Sequence, residues 1–78
     1  MNGAQLDIEQ HFKGRDFRPV SFPLKSGKLI EATRDPKLQR WTILRDRIPI
    51  GGGPFTDDEA LARLRALAGQ AIGLIRIG

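Results

Sequence analysis

Cysteine is absent from the 78 residues. That excludes a disulfide framework and every Cys-based metal site. Histidine occurs once, as His11, and tryptophan once, as Trp41. No apolar run approaches the roughly 20 residues that a membrane span requires; the longest lies near Ala71–Ile77. Met1–Asp7 has neither a basic start nor an apolar core, so no signal peptide is expected. A cytoplasmic protein without a membrane partner is the expectation. There is no internal repeat, and the longest low-complexity stretch is Gly51-Gly52-Gly53.

What remains is enough for one domain near the lower size limit of independent stability. Its 40% hydrophobic and 28% charged content is that of a globular chain rather than a disordered one. The net charge is +4, and its distribution says more than its total. In residues 17–53, eight cations (Arg18, Lys25, Lys28, Arg34, Lys37, Arg40, Arg45, Arg47) stand against Glu31, Asp35 and Asp46. Residues 54–78 balance Arg63, Arg65 and Arg76 with Asp57, Asp58 and Glu59, and residues 1–16 carry a small acidic excess. A basic middle segment favours polyanions or acidic protein partners.

The local patterns predict an α+β domain. Residues 1–16 hold Leu6, Ile8 and Phe12 at helical spacing before Gly14, which predicts a short helix or a flexible arm ahead of a single domain over 17–78. Val20–Leu24 alternates as a half-buried strand does; Pro19 and Pro23 cannot donate to a ladder, which places it at a sheet edge. Lys25-Ser26-Gly27-Lys28 is a turn with Gly27 at positive φ. Leu29–Thr33 follows as a strand, Asp35-Pro36-Lys37 as a second turn and Arg40–Arg45 as a third strand. Asp46-Arg47 then turns the chain into a short strand at Ile48–Ile50. Thr56-Asp57-Asp58-Glu59 reads as a capping box opening a helix over about 57–68, with Phe55 packing on Ala60, Leu61, Leu64, Leu67 and Ala68 as the buried stripe and Gly69 as the natural residue just past its end. The tail at Ile75–Ile77 returns as a last strand. The expected fold is a small antiparallel meander of three to four strands with one main C-terminal helix packed on one face.

Each candidate site has a plainer competitor. His11 has no partner nucleophile: Ser21 and Ser26 lie on an edge strand and in a turn, without glycine-elbow spacing. It is expected to be a solvated residue on the arm. Asp57, Asp58 and Glu59 all fall in one helical turn, where capping and the helix dipole explain them better than a metal does. Gly51-Gly52-Gly53 precedes a helix as a phosphate loop would, but the acids at that helix start repel phosphate; a flexible linker is expected instead. Trp41 is expected beneath the helix against Leu61 and Leu64, the alternative being an exposed stacking residue. No catalytic residue, metal or cofactor is expected.

The basic strands carry the functional expectation. Alternation is expected to bring several of their cations onto the sheet face opposite the helix, where clustered charge binds nucleic acid and arginine can reach base edges. The candidate binding residues are Arg34, Arg40, Arg45, Arg47, Lys25 and Lys28. Ile50-Gly51 followed by Phe55-Thr56-Asp57-Asp58-Glu59-Ala60 resembles the helix entry G-x-F-x-T-x-x-E-A of the AP2-like DNA-binding domains. The likeness spans Trp41 through Ala60, with two extra glycines in the spacing. The order of three strands and a helix is similar also to the integrase arm-binding domains and to the double-stranded-RNA-binding fold, although the latter carries lysines where this helix begins with acids. The expected function is a non-enzymatic, basic binding module, a DNA-binding accessory or regulatory protein that uses a basic β-sheet face. The alternative is a protein–protein interaction module, a small inhibitor or adaptor of the phage or plasmid kind, with an acidic protein partner or a second copy joined as a homodimer through an exposed edge strand.

Overall fold

The computed structural model describes residues 3–15, 17–72 and 75–78. Side chains are described from Ile8 onward, so Leu6, Asp16, Gly73 and Leu74 lie outside the described set. The elements are α1 (Gly3–Lys13), β1 (Val20–Pro23), β2 (Leu29–Asp35), β3 (Arg40–Arg45), β4 (Ile48–Pro49), α2 (Asp57–Ala68) and β5 (Arg76–Ile77). The strands form one antiparallel sheet in the order β4-β3-β2-β1-β5. This is the expected α+β class, with five strands rather than three or four.

Period-2 alternation sorts the sheet into two faces. On the inner face Val20, Ala32 and Ile43 lie in one cross-strand row and Phe22, Ile30 and Arg45 in the next. All but Arg45 are buried in the core with Leu64, Leu67 and Ala68 of α2 and Ile8 and Phe12 of α1. Phe12 stacks on Trp41 with ring centroids 5.0 Å apart, and Arg65 of α2 pairs with Glu9 of α1. Both helices therefore cover the same face. Residues 3–13 are a helix sharing the core of the rest of the chain.

Three expectations change. β1 is not an edge strand, because β5 pairs on its far side. The prolines are tolerated there for a geometric reason. Successive backbone groups point to opposite neighbours, and Leu24 N–H bonds Lys28 toward β2. Pro19 and Pro23 thus turn their missing donors toward β5, and their carbonyls accept from Gly78 and Ile72 on that side. The partner there is only two residues long, so the ladder has no bond for Pro23 to break. Gly69 closes α2 with φ −62 and ψ −20, so it does not use the left-handed conformation that favours glycine. The glycine segment is anchored rather than a flexible linker. Ile50 N–H bonds Ile43 at one end, and Phe55 and Trp41 exchange both backbone bonds at the other, at 2.7 and 2.8 Å. Gly52 takes φ +93, and a Cβ on Gly53 would sit 3.0 Å from the Phe55 ring.

The capping box of α2 is formed as its sequence predicts. Thr56 Oγ1 accepts from the Glu59 amide at 3.2 Å, and Glu59 Oε1 accepts from the Thr56 amide at 2.9 Å. These bonds hold the Glu59 carboxyl below its ordinary range.

Candidate nucleic-acid interface

The inner face carries a third row, Arg34–Trp41–Phe55. Its polar edge is closed by Asp57 from the first turn of α2. Arg34 donates from Nε to Oδ1 at 2.8 Å and from Nη2 to Oδ2 at 3.1 Å. The Trp41 indole N–H donates to Oδ1 at 2.8 Å. Arg34 also lies 3.9 Å over the Phe17 ring, and its side chain is 12% exposed. The bidentate arginine bond holds the Asp57 carboxyl below its ordinary value of 3.8, against burial and with the help of Trp41. This is a charge pair with matched geometry and a satisfied indole, and it clamps the start of α2 to the centre of the sheet. It also takes Arg34 out of the expected binding surface. Trp41 is 0% exposed, which excludes the stacking role.

His11 is a structural residue. It is 7% exposed, not solvated on an arm, and its Nε2 donates to the Arg18 carbonyl at 3.0 Å. A carbonyl only accepts, so this nitrogen carries the proton. The bond ties α1 to the approach into β1.

The outer face does not gather the cations that alternation was expected to put there. Its charged residues are Arg40, directly opposite Asp35, and Arg76, in one row with Ser21 and Glu31. Two cations meet two carboxylates, and the rest of the face is Pro23, Leu29, Thr33, Thr42, Leu44 and Pro49. Arg45 sits across from buried Ile30 and so belongs to the inner face.

The remaining candidates meet elsewhere. The β1–β2 turn and the β3–β4 turn lie at the same end of the sheet, because Ile30 at the start of β2 pairs with Arg45 at the end of β3. Asp46 N–H bonds the Leu29 carbonyl at 2.8 Å, and Lys28 Nζ lies 3.7 Å from Asp46 Oδ2. Lys25 N–H bonds the Gln70 carbonyl at 2.9 Å, bringing in the exit of α2. Lys25, Lys28, Arg45 and Arg47 therefore share one end, and Asp46 is the single carboxylate in these two turns. The β3–β4 turn puts both Asp46 (φ +53) and Arg47 (φ +69) in the left-handed region, as a two-residue hairpin of right-twisted strands requires. Arg63, which sequence reasoning left out, projects from α2 to the same end: it shares with Arg45 a cleft of about 280 Å³. Only the register of β3 against α2 could have found it, and no sequence signal gives that register.

A larger cleft of about 410 Å³ opens at the other end, where Lys13, Arg15 and Arg40 face Asp57 and Asp58. Its charges are mixed, with two carboxylates among three cations. Among the described residues there is no group of three or more His, Cys, Asp or Glu that could hold a metal. No helix among them is long and apolar enough to cross a membrane. No family model matches this chain, and comparison with curated proteins and with solved structures finds no significant match.

Proposed function

We propose that the chain is a non-enzymatic DNA-binding module, an accessory or regulatory protein, that holds the phosphate backbone with the turn end of its sheet rather than with its flat face. The observation that carries this reading is the convergence of Lys25, Lys28, Arg45, Arg47 and Arg63 on one end of the fold, with Asp46 alone against them in the two turns. Clustered cations that neutralise phosphates release condensed counterions, which makes association strong at low salt and steeply salt-dependent. All five aromatic rings are buried or half-buried, so no base-stacking platform accompanies the charge. Binding that follows charge and ignores sequence is the corresponding expectation.

The test is a salt titration with duplexes of two unrelated sequences. A linear fall of log affinity with log salt, equal for both, supports the reading. No binding at low salt removes it.

A second reading has its own observation. Ile48 is 69% exposed and Leu29 38% exposed, and they flank Lys28 and Arg47 at the same end. Apolar side chains beside arginine are a common composition for a protein interface. An acidic protein partner is the reading that takes over if DNA does not bind.

A further inference from the structure

The geometry points to an oxyanion subsite in the cleft between Arg45 and Arg63, built to hold one phosphate of a nucleic-acid backbone. The inference deepens the DNA reading by naming where a phosphate sits, but it rests on the cleft itself.

The two arginines come from different elements, the end of β3 and the middle of α2, and line one cleft of about 280 Å³. Ile50, Gly51, Ala66 and Leu67 complete its lining. Among the described residues no carboxylate lies in ion-pair range of either arginine. The nearest acid on the same helix, Glu59, stands four residues before Arg63; its carboxylate is held by the Thr56 amide in the capping box and feels the Arg63 charge without pairing with it. Arg63 is steadied from below by the Phe55 ring, 5.6 Å from its guanidinium carbon, a cation–π contact that orients the fork without using its N–H donors. The backbone position of Arg45 is set by its register opposite Ile30. Each guanidinium offers planar, paired donors that match the oxygens of a phosphate, and a lysine at either place would offer only a point charge. Gly51 adds no side chain to the lining, and nothing lies within 4 Å of where its Cβ would be. Arg45 also borders a second cleft of about 380 Å³ that contains Lys28. A backbone lying along this end passes from Lys28 over Arg45 to Arg63.

Two measurements test the subsite. The first follows the Nε–Hε resonances of the arginines in the wild-type protein during titration with inorganic pyrophosphate at low ionic strength. Joint, saturable shifts at Arg45 and Arg63, with Arg40 and Arg76 unmoved, support the subsite. Equal small shifts at every arginine indicate counterion screening and overturn it. The second compares duplex-DNA affinity across salt for Arg45→Ala, Arg63→Ala and Lys37→Ala, with circular dichroism as the check on folding. Lys37 lies in the β2–β3 turn at the opposite end and serves as the control. Each arginine change is expected to flatten the salt slope by about one unit, and Lys37→Ala to leave it as it is. DNA binding unchanged in both arginine variants overturns the subsite and leaves the DNA reading standing. Pyrophosphate shifts at the two arginines, with no DNA binding at low salt, keep the subsite and remove the DNA reading.

Discussion

Arg34 and Arg45 stand on the same face of the sheet, in neighbouring strands, and have opposite fates. Arg34 lies beneath the first turn of α2, where Asp57 takes the Nε–Nη2 edge of its guanidinium and Phe17 covers its plane. Arg45 lies at the far end, where β3 runs out and α2 brings another arginine, Arg63, into the same cleft. Sequence alone treats them as equivalent members of one basic segment. The fold makes the first part of the framework and leaves the second with donors to spare. A cation's role here is set by which end of α2 it meets, because the acids of this helix are gathered in its first turn and its later turns carry Arg63 and Arg65.

The comparison is broken most severely from the Arg34 end. Asp57→Ala leaves a largely buried guanidinium and a buried indole N–H without their acceptor. Unsatisfied groups of this kind cost about 1–3 kcal/mol each, so a loss of about 3 kcal/mol is expected in denaturant unfolding, with DNA affinity unchanged in the folded fraction. A midpoint within a few tenths of wild type would show that the clamp is ornamental. The pH dependence follows from the same carboxyl. Its folded value is depressed below the ordinary 3.8, so its contribution is complete above that ordinary value and is lost as pH falls through the folded value. The stability gap between wild type and Asp57→Asn is expected to stay constant at neutral and mildly acidic pH and to close below about pH 4. A gap that stays constant through that acid range would contradict the assignment.

From the other end, the paired substitution of Arg45 and Arg47 to Ala is expected to move stability by no more than about 0.5 kcal/mol, as surface changes do. It should flatten the salt dependence of DNA binding by about two units. Loss of stability with unchanged binding would reverse the roles of the two regions. Thr56→Ala is a smaller change at the acid end of α2, expected to cost about 1 kcal/mol in denaturant unfolding through the lost cap. An unchanged midpoint would mean that the Thr56–Glu59 box contributes nothing.

The contrast also marks what could be read in advance. Alternation at Val20–Leu24, Leu29–Thr33 and Arg40–Arg45, and the Thr56/Glu59 box, are local patterns, and local patterns gave the strands, the three hairpin turns and α2. What they cannot supply is which element lies over which. Asp57 was legible as a helix-start acid, but its bond to a residue 23 positions away depends on α2 crossing β2 and β3 at their far ends. His11 and Phe12 looked like the contents of an arm because too few apolar residues surround them in sequence, whereas their partners are supplied by Arg18 in the approach to β1 and by Trp41 in β3. The candidate site suffered the same way. Lys25, Lys28, Arg45 and Arg47 were visible as cations, but their meeting place was set by hairpin register, and Arg63 joined them only through packing.

The smallest effect separates charge from backbone at a single position. Arg47 occupies φ +69 as the second central residue of the β3–β4 turn, with Asp46 at +53 before it. A left-handed conformation costs an L-residue with a Cβ roughly 1–2 kcal/mol, and glycine adopts it without that penalty. Glycine also has more freedom to lose on folding, by roughly 0.5–1 kcal/mol, so the net gain from Arg47→Gly is expected to be about 0.5 kcal/mol. Arg47→Ala keeps the Cβ and with it the strain, so its stability should match wild type. Both variants remove the same positive charge from the turn end. They are therefore expected to weaken DNA binding equally and to flatten the salt slope by about one unit each, while only the glycine variant raises the unfolding midpoint. Equal midpoints for the two variants would show that the turn stores no strain at this residue. Unequal DNA affinities would show that the conformation of the turn, and not the charge it carries, positions the phosphate contact.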